Sequence, residues 1–368
     1  MTQTTVEIRF DSVAYTVGGT VVLDRIELEV FKGETLILLG ESGCGKTTTL
    51  KMINRLIEPT SGTIEVSGQD VMKQDPVQLR RGIGYVIQSI GLMPHRTVAD
   101  NIATVPRLVG WEEDRIKKRL AELVETFDLE QEFLRRYPAE LSGGQRQRVG
   151  VARALAVDPP VMLMDEPFGA VDPIVRERLQ DQFLSIQETL KKTIVFVTHD
   201  IDEAIKMADR IAILNKGGVV EQYAPPEEIL RAPANDFVKR FVGPERGLKR
   251  LALIKVDEIE IEEGPVVSSR DPVEAAFREM DRFGFEWVSV VDEGHLHGWV
   301  DRDSLKEGRN VSEATPRPFS AYVTNASTLR QALDSIVTSR TGVAVVAKEG
   351  QQYAGILTLE KISKEIVE

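Results

Sequence analysis

The 368-residue chain is expected to fold as an α/β domain over residues 1–245, followed by a smaller α+β domain in which one unit occurs twice. Short continuous apolar runs alternate with stretches of helical period through the first two thirds of the chain. A glycine-rich turn joins one of those runs directly to a helix. Near the end, a helix and two strands recur after 56 positions.

Residues 35–40 (TLILLG) read as a short apolar strand that ends in the glycine-rich turn. A helix follows, with Thr47, Leu50 and Ile53 at helical spacing. Residues 161–164 (VMLM) and 194–197 (IVFV) are apolar throughout, as strands buried on both faces are. Ile116, Leu120, Leu123 and Phe127 mark one amphipathic helix; Leu179, Phe183, Ile186 and Leu190 mark another. Gly217-Gly218 signals a hairpin between residues 211–214 and 219–220.

The stretch 241–250 (FVGPERGLKR) mixes glycine, proline and charge, which ends the first domain and puts a linker at 246–255. The repeated unit then occupies 256–310 and 311–368. The helical stripe Val273, Phe277 and Met280 returns as Leu329, Leu333 and Ile336. Residues 288–291 (VSVV) return as 343–346 (VAVV), and Gly298-Trp-Val returns as Gly355-Ile-Leu. The acidic run 257–263 is expected to be a solvated strand edge, with Ile259 and Ile261 facing inward.

Composition narrows the function classes. No apolar run approaches the roughly 18 residues that span a bilayer, and the N-terminus lacks a signal-peptide pattern. One cysteine excludes an internal disulfide and fits a reducing cytoplasm. A net charge of −12 argues against nucleic acid as a partner, because phosphate neutralisation needs a basic stripe. Any membrane role must come through a protein partner.

Gly40-Glu41-Ser42-Gly43-Cys44-Gly45-Lys46-Thr47 fits G-x-x-x-x-G-K-[ST], with a strand before and a helix after. Backbone N–H groups of such a loop turn inward around phosphates, and the helix starting near Lys46 aims its positive end at them. Lys46 is placed to reach β- and γ-phosphates, and the Thr47 hydroxyl to ligate Mg²⁺; Thr48 continues the motif. Cys44 lies in the loop beside Lys46, so maleimide is expected to react there and block the cradle, with MgATP protecting.

Residues 161–166 (VMLMDE) end an apolar strand in two carboxylates. Asp165 suits the Mg²⁺ shell, and Glu166 is placed to orient and deprotonate an attacking water. In Leu141-Ser142-Gly143-Gly144-Gln145, Ser142 is an N-cap for a helix over 145–156. Gly143 and Gly144 leave the backbone there open to close approach, which makes a second helix N-terminus suited to an anion.

On these motifs residues 6–245 resemble an ABC-type ATPase, a P-loop NTPase fold with a helical subdomain, here at about 89–157. LSGGQ resembles the family's signature and GESGCGKTT its P-loop. Gln88 in YVIQ matches the Q-loop, Asp172 in GAVD the D-loop, and His199 in VTHD the switch histidine. Tyr15 sits where the family stacks an aromatic on adenine. The resemblance implies ATP held between one subunit's P-loop and the Ser142–Gln145 stretch of another, so two subunits must pair, most simply as a homodimer. It also implies His199 on the γ-phosphate, and Gln88 linking the Mg²⁺ site to integral membrane permease subunits on the cytoplasmic face.

Residues 90–95 (IGLMPH), 105–111 (VPRLVGW) and 172–178 (DPIVRER) resemble the ATPases of quaternary-amine importers for glycine betaine, carnitine, choline or proline. Importers of that kind also use a solute-binding protein. The C-terminal repeat resembles a tandem CBS pair, which the same subfamily carries. Neither copy has the ribose-binding Asp of the adenosine-binding form: Ser304 and Lys361 stand in its place, and only Thr358 matches the hydroxyl position. Sensing of ionic strength, or of a cyclic dinucleotide at the CBS pair, both stay open. Import of another small solute, or an ABC ATPase acting without a transporter, are the alternatives; the single ATPase unit and the acidity count against the latter. His295-x-His297 could put two imidazoles on one strand face, but no third metal ligand stands near in sequence.

Overall fold

The structure, a computed structural model, describes residues 5–89, 91–169, 171–306, 308–319 and 322–367. Ile90 and Ala170, which belong to two of the motifs above, lie outside the described residues. The chain divides into two units, Met1–Val242 and Gly243–Glu368.

The strands of the first unit are β1 (Val6–Val17), β2 (Thr20–Phe31), β3 (Thr35–Gly40), β4 (Ser61–Val66), β5 (Gln69–Asp70), β6 (Ile83–Val86), β7 (Val161–Asp165), β8 (Thr193–Thr198), β9 (Arg210–Asn215) and β10 (Val219–Ala224). Six of them form a sheet in the order β10-β9-β3-β8-β7-β6, parallel except for the β9–β10 hairpin. Every residue of β3, β7 and β8 is buried, which is why these segments are apolar without alternation. β2, β1, β4 and β5 pair antiparallel in a second sheet. Because β3, β8 and β7 are neighbours and parallel, the turns after all three open at one edge of the sheet.

Between β6 and β7 the chain is helical: Val98–Ile102, Thr104–Leu108, Glu113–Thr126 and Gly143–Ala154. Ile116, Leu123 and Phe127 are buried as their spacing predicts, and Leu120 is half-buried. The helix expected to begin at Gln145 begins two residues earlier, at Gly143. Ser142 caps it: its hydroxyl accepts from the Gln145 N–H at 3.3 Å, and the Gln145 side chain accepts from the Ser142 N–H at 2.8 Å.

The second unit is a five-stranded sheet of β11 (Val266–Val267), β12 (Trp287–Asp292), β13 (His295–Asp301), β14 (Ala344–Lys348) and β15 (Gln352–Leu357), in the order β11-β12-β13-β15-β14. Helix Val273–Phe283 precedes β12 and helix Leu329–Thr338 precedes β14, so the expected unit does occur twice.

Three expectations for this unit need correction. Residues 246–255 are not a free linker. Arg246–Arg250 is helical, Arg250 donates to the Glu365 carbonyl at 2.9 Å, and Leu251 is fully buried with Leu329 and Ile362. The apolar Leu248 and Leu251, three apart on one helical face, supply the stripe that docks there. The acidic run is not a strand edge either: it holds a 3₁₀ turn, Val256–Glu258, and one bridge between Glu262 and Ile356.

The third correction concerns the boundary at 310/311, because the two copies exchange segments. Val256, Ile259 and Ile261, from the start of the first copy, pack in the core of the second. Val311 and Ala314, from the start of the second, pack in the core of the first. Each exchanged segment lies against the glycine that opens the recurring Gly-apolar-apolar step. Glu262 and Ile356 trade backbone hydrogen bonds at 3.0 and 2.9 Å; Arg317 and Trp299 do the same at 2.8 and 2.9 Å. Gly355 (φ 145°) and Gly298 (φ 144°) each leave no space for a β-carbon, which would stand 2.4 Å from the Glu262 or the Arg317 carbonyl oxygen.

Gly355→Ala therefore brings both backbone strain and a clash, and should lower the stability of the second unit by about 1–3 kcal/mol. Urea unfolding followed by tryptophan fluorescence in a Trp111→Phe background, which leaves Trp287 and Trp299, measures it; an unchanged midpoint would contradict the close approach.

Candidate functional site

The loop after β3 leads into helix Lys46–Ile53, whose first residue is a lysine only 6% exposed. A buried ammonium needs acceptors. Lys46 Nζ finds them in its own loop, donating to the Gly40 carbonyl at 2.8 Å and the Glu41 carbonyl at 2.9 Å. One residue on, the Thr47 hydroxyl donates to Asp165 Oδ1 at 2.9 Å, which joins the turn after β3 to the end of β7. Burial pushes the Asp165 carboxyl up, against the Thr47 hydrogen bond and the nearby Lys51 and Lys46 charges, which pull it down.

Glu166 follows directly, with a left-handed backbone (φ 44°) and its N–H bonded to the Val197 carbonyl of β8 at 3.0 Å. Left-handed conformation at a non-glycine residue is costly and is kept where the surroundings demand it. Here it turns the side chain out of the strand. Gln88 Nε2 donates to Glu166 Oε2 at 3.2 Å, and His199 Nδ1 lies 3.3 Å from Glu166 Oε1. Three distant stretches of chain thus meet on one carboxylate.

A cleft of about 560 Å³ opens over these groups. It is lined by Ser42, Gly43, Gly45, Lys46, Thr47, Thr48, Gln88, Glu166 and His199 of the expected set, and also by Val22 of β2. Val22 carries no motif and was not foreseen. Tyr15 stands half-buried opposite Leu23 and packs on the core beneath the β1–β2 sheet, outside the cleft lining. Gly40 and Glu41 take part through the carbonyls that hold Lys46.

Cys44 requires a correction. It is 1% exposed and packs in the core beneath the loop, its sulfur 3.8 Å from Lys46 Nζ and closed off from solvent. The Cys44 N–H bonds to the Glu41 carbonyl at 3.3 Å, closing the turn. Ser142, Gly143, Gly144 and Gln145 are not in the cleft. Ser142 and Gly143 are exposed at their helix N-terminus, while Gly144 is buried against Val175. Asp172 is also exposed and caps helix Pro173–Leu190, its carboxylate accepting from the Val175 N–H at 3.1 Å. Among the described residues no group of three or more His, Cys, Asp or Glu could hold a metal ion. His295 Nδ1 instead contacts the Gly350 carbonyl and His297 faces Asp292.

The arrangement can do specific chemistry. A lysine and a helix N-terminus face a cleft where a polyphosphate fits, a hydroxyl and a buried carboxylate stand together as hard oxygen donors, and a carboxylate held on both sides is aimed at the same space.

Comparison with known proteins agrees with this chemistry. The ABC transporter family model matches residues 23–169. The chain is 47% identical over 346 residues to the glycine betaine/carnitine/choline transport ATP-binding protein OpuCA of Bacillus subtilis, covering 93% of this chain and 91% of that protein. It is 46% identical over 345 residues to the osmoprotectant import ATP-binding protein OsmV of Salmonella typhimurium, covering 93% and 90%. Among solved structures, the dimeric ABC transporter cassette MJ0796 aligns with a TM-score of 0.53 at 34% identity, over 60% of this chain and 98% of that one.

The buried thiol leads to a measurable expectation that replaces the earlier one. Reaction of Cys44 with a maleimide should be at least about tenfold slower in native protein than in urea, because a buried structural cysteine is inert. Equal rates would mean that the loop faces the other way.

Proposed function

We propose, for a chain that belongs to the ATP-binding subunits of ABC transporters, that its ATP hydrolysis energises import of a quaternary-amine osmoprotectant of the glycine betaine, carnitine, choline and proline class. The observation that carries this is the meeting of Lys46, Thr47, Asp165, Glu166, Gln88 and His199 around one cleft, in a chain similar to such importers' ATP-binding proteins over nine tenths of its length.

In this reading Lys46 exchanges its loop carbonyls for β- and γ-phosphate oxygens, which cost little to substitute because the ammonium is already desolvated and oriented. Thr47 and Asp165 would hold Mg²⁺, which supplies positive charge against the phosphates; a hydroxyl beside a buried carboxylate fits that hard cation. Glu166, oriented by Gln88 and His199, accepts a proton from the attacking water, and His199 also contacts the γ-phosphate. Tyr15 stacks on adenine beside Val22. The Ser142–Gln145 helix start serves the site of a second subunit, most simply another copy, and Asp172 lies at that interface. The pair would work on permease subunits at the cytoplasmic face of the membrane, with a solute-binding protein delivering the cargo. Among the described residues no helix is long and apolar enough to cross a bilayer, so the span falls to those partners.

The second unit is proposed to regulate, as a tandem CBS pair. Its positions equivalent to a ribose site are already engaged within the unit: Thr358 donates to Glu262 at 2.8 Å and Lys361 to Glu260 at 3.0 Å. That supports control by ionic strength or a cyclic dinucleotide over control by simple adenylate. Debye screening reaches about 8 Å at physiological salt, so a charged docking contact responds to modest salt changes.

Two experiments test this reading. Glu166→Gln should bind ATP and lose about 10²–10⁴-fold in turnover; steady-state hydrolysis within threefold of the parent would remove Glu166 as the base. Deleting everything after Val242, where the first unit ends, should leave ATP-driven uptake of glycine betaine into vesicles but flatten its dependence on salt and cyclic dinucleotide. Superimposable response curves for full-length and shortened complexes would make the second unit non-regulatory.

A further inference from the structure

The hydrolytic groups leave unexplained a buried acid close to the histidine. Glu203, on helix Ile201–Met207, is 7% exposed, lies one turn beyond the switch histidine and is not among the residues that line the cleft. Its carboxylate accepts from Gln180 Nε2 at 3.1 Å, and its own N–H is bonded to Asp200 Oδ1 at 3.2 Å. Gln180 is equally buried, at 6%, and belongs to helix Pro173–Leu190, which Asp172 caps.

The surrounding bonds run from that helix to the histidine. Thr198 Oγ1 accepts from the Asp200 N–H at 3.1 Å, which bends the chain around His199. Asp200 Oδ1 caps the next helix through the N–H groups of Asp202 and Glu203, at 2.9 and 3.2 Å. Arg176 donates to the Val171 carbonyl at 3.0 Å and lies 3.8 Å from Asp200 Oδ2, so one guanidinium spans both ends. Glu203, Glu166 and His199 line a common void of about 40 Å³, and the bonds of Glu203 run to Gln180 and to the turn at Asp200.

We propose that Glu203, anchored by Gln180, is a positioning residue for His199: it ties the turn that presents the histidine to the helix that begins at Asp172. This rests on the ATPase reading above and adds to it a reason for keeping a costly buried carboxylate. Burial pushes the Glu203 carboxyl up, and the Thr198 hydroxyl and Gln180 amide beside it oppose that; the Gln180 bond and the Asp200 cap on its N–H hold the residue at both ends. Loss of either partner leaves the other buried and unsatisfied, and the turn then relaxes.

The prediction is a split between kcat and KM. In the full-length chain, Glu203→Ala and Gln180→Ala should each lower kcat about ten- to a hundredfold, as ångström-scale misplacement of a reacting group does, with KM for MgATP within twofold. The double variant should be no worse than either single one. Glu203→Gln, which keeps an acceptor for Gln180 and the shape of the side chain, should return kcat to within about threefold. The chain has 4 histidines, so in histidine-labelled protein the His199 NMR resonance can be followed against the other three. It should move in both alanine variants while the others stay.

Should Glu203→Ala fail to fold, Gln180→Ala carries the same two readouts. An unmoved His199 resonance, an unchanged kcat, or a fall in kcat matched by an equal rise in KM would overturn the inference. A parent chain without MgATP turnover would instead defeat the ATPase reading beneath it.

Discussion

At Gly40 the central strand must leave the sheet through a gap that admits no side chain. A β-carbon there would stand 2.3 Å from the Leu214 carbonyl oxygen of β9 and 2.8 Å from the Cys44 sulfur. Glycine at that point lets the chain bend at once into the loop, and the bend decides much that follows. It returns Lys46 onto the carbonyls of Gly40 and Glu41, and it starts helix Lys46–Ile53 with Thr47 within hydrogen-bond reach of β7. It also packs Cys44 inward, since one side of so tight a loop must face the core. With β8 on one flank of β3 and β7 beyond it, residues more than a hundred positions apart arrive at one cleft.

The cleft is organised by bonds within the chain. Each buried or half-buried charge already has a partner from the chain: Lys46 its loop carbonyls, Asp165 the Thr47 hydroxyl, Glu166 the Gln88 amide and His199. An unpaired buried charge would cost several kcal/mol, so these internal bonds hold the groups in place around the cleft. In the function proposed for it, nucleotide binding is an exchange of oxygen partners, with little reorganisation left for the chemical step.

Local patterns made the cleft readable from sequence. Strand 35–40 has the residues expected, and the two carboxylates stand at the end of β7, because both follow from short apolar runs with a motif attached. What could not be read depends on contacts between distant segments. Val22 lines the cleft only because the β1–β2 hairpin lies over the loop. Cys44 packs inward into a core that includes Leu214, some 170 positions away. The Gln180–Glu203 pair joins two helices, and nothing local in either sequence marks that the two side chains meet. Leu248 and Leu251 were hidden among the charges that made 246–255 resemble a linker.

The same limit explains the second unit. A repeat in sequence says that two similar structures form, but not which copy's core a given segment completes. Here the choice is reciprocal: Val256 fills one core and Val311 the other, while Gly355 and Gly298 admit the crossing backbones. Neither copy can bury its apolar face without the other's first residues, so the two should fold and loosen as one cooperative body. A perturbation felt by one copy, whether charge screening or a bound molecule, is therefore felt by both. That coupling is a property of the exchanged segments, and it would be lost in any variant that cut the chain at the apparent repeat boundary of 310/311.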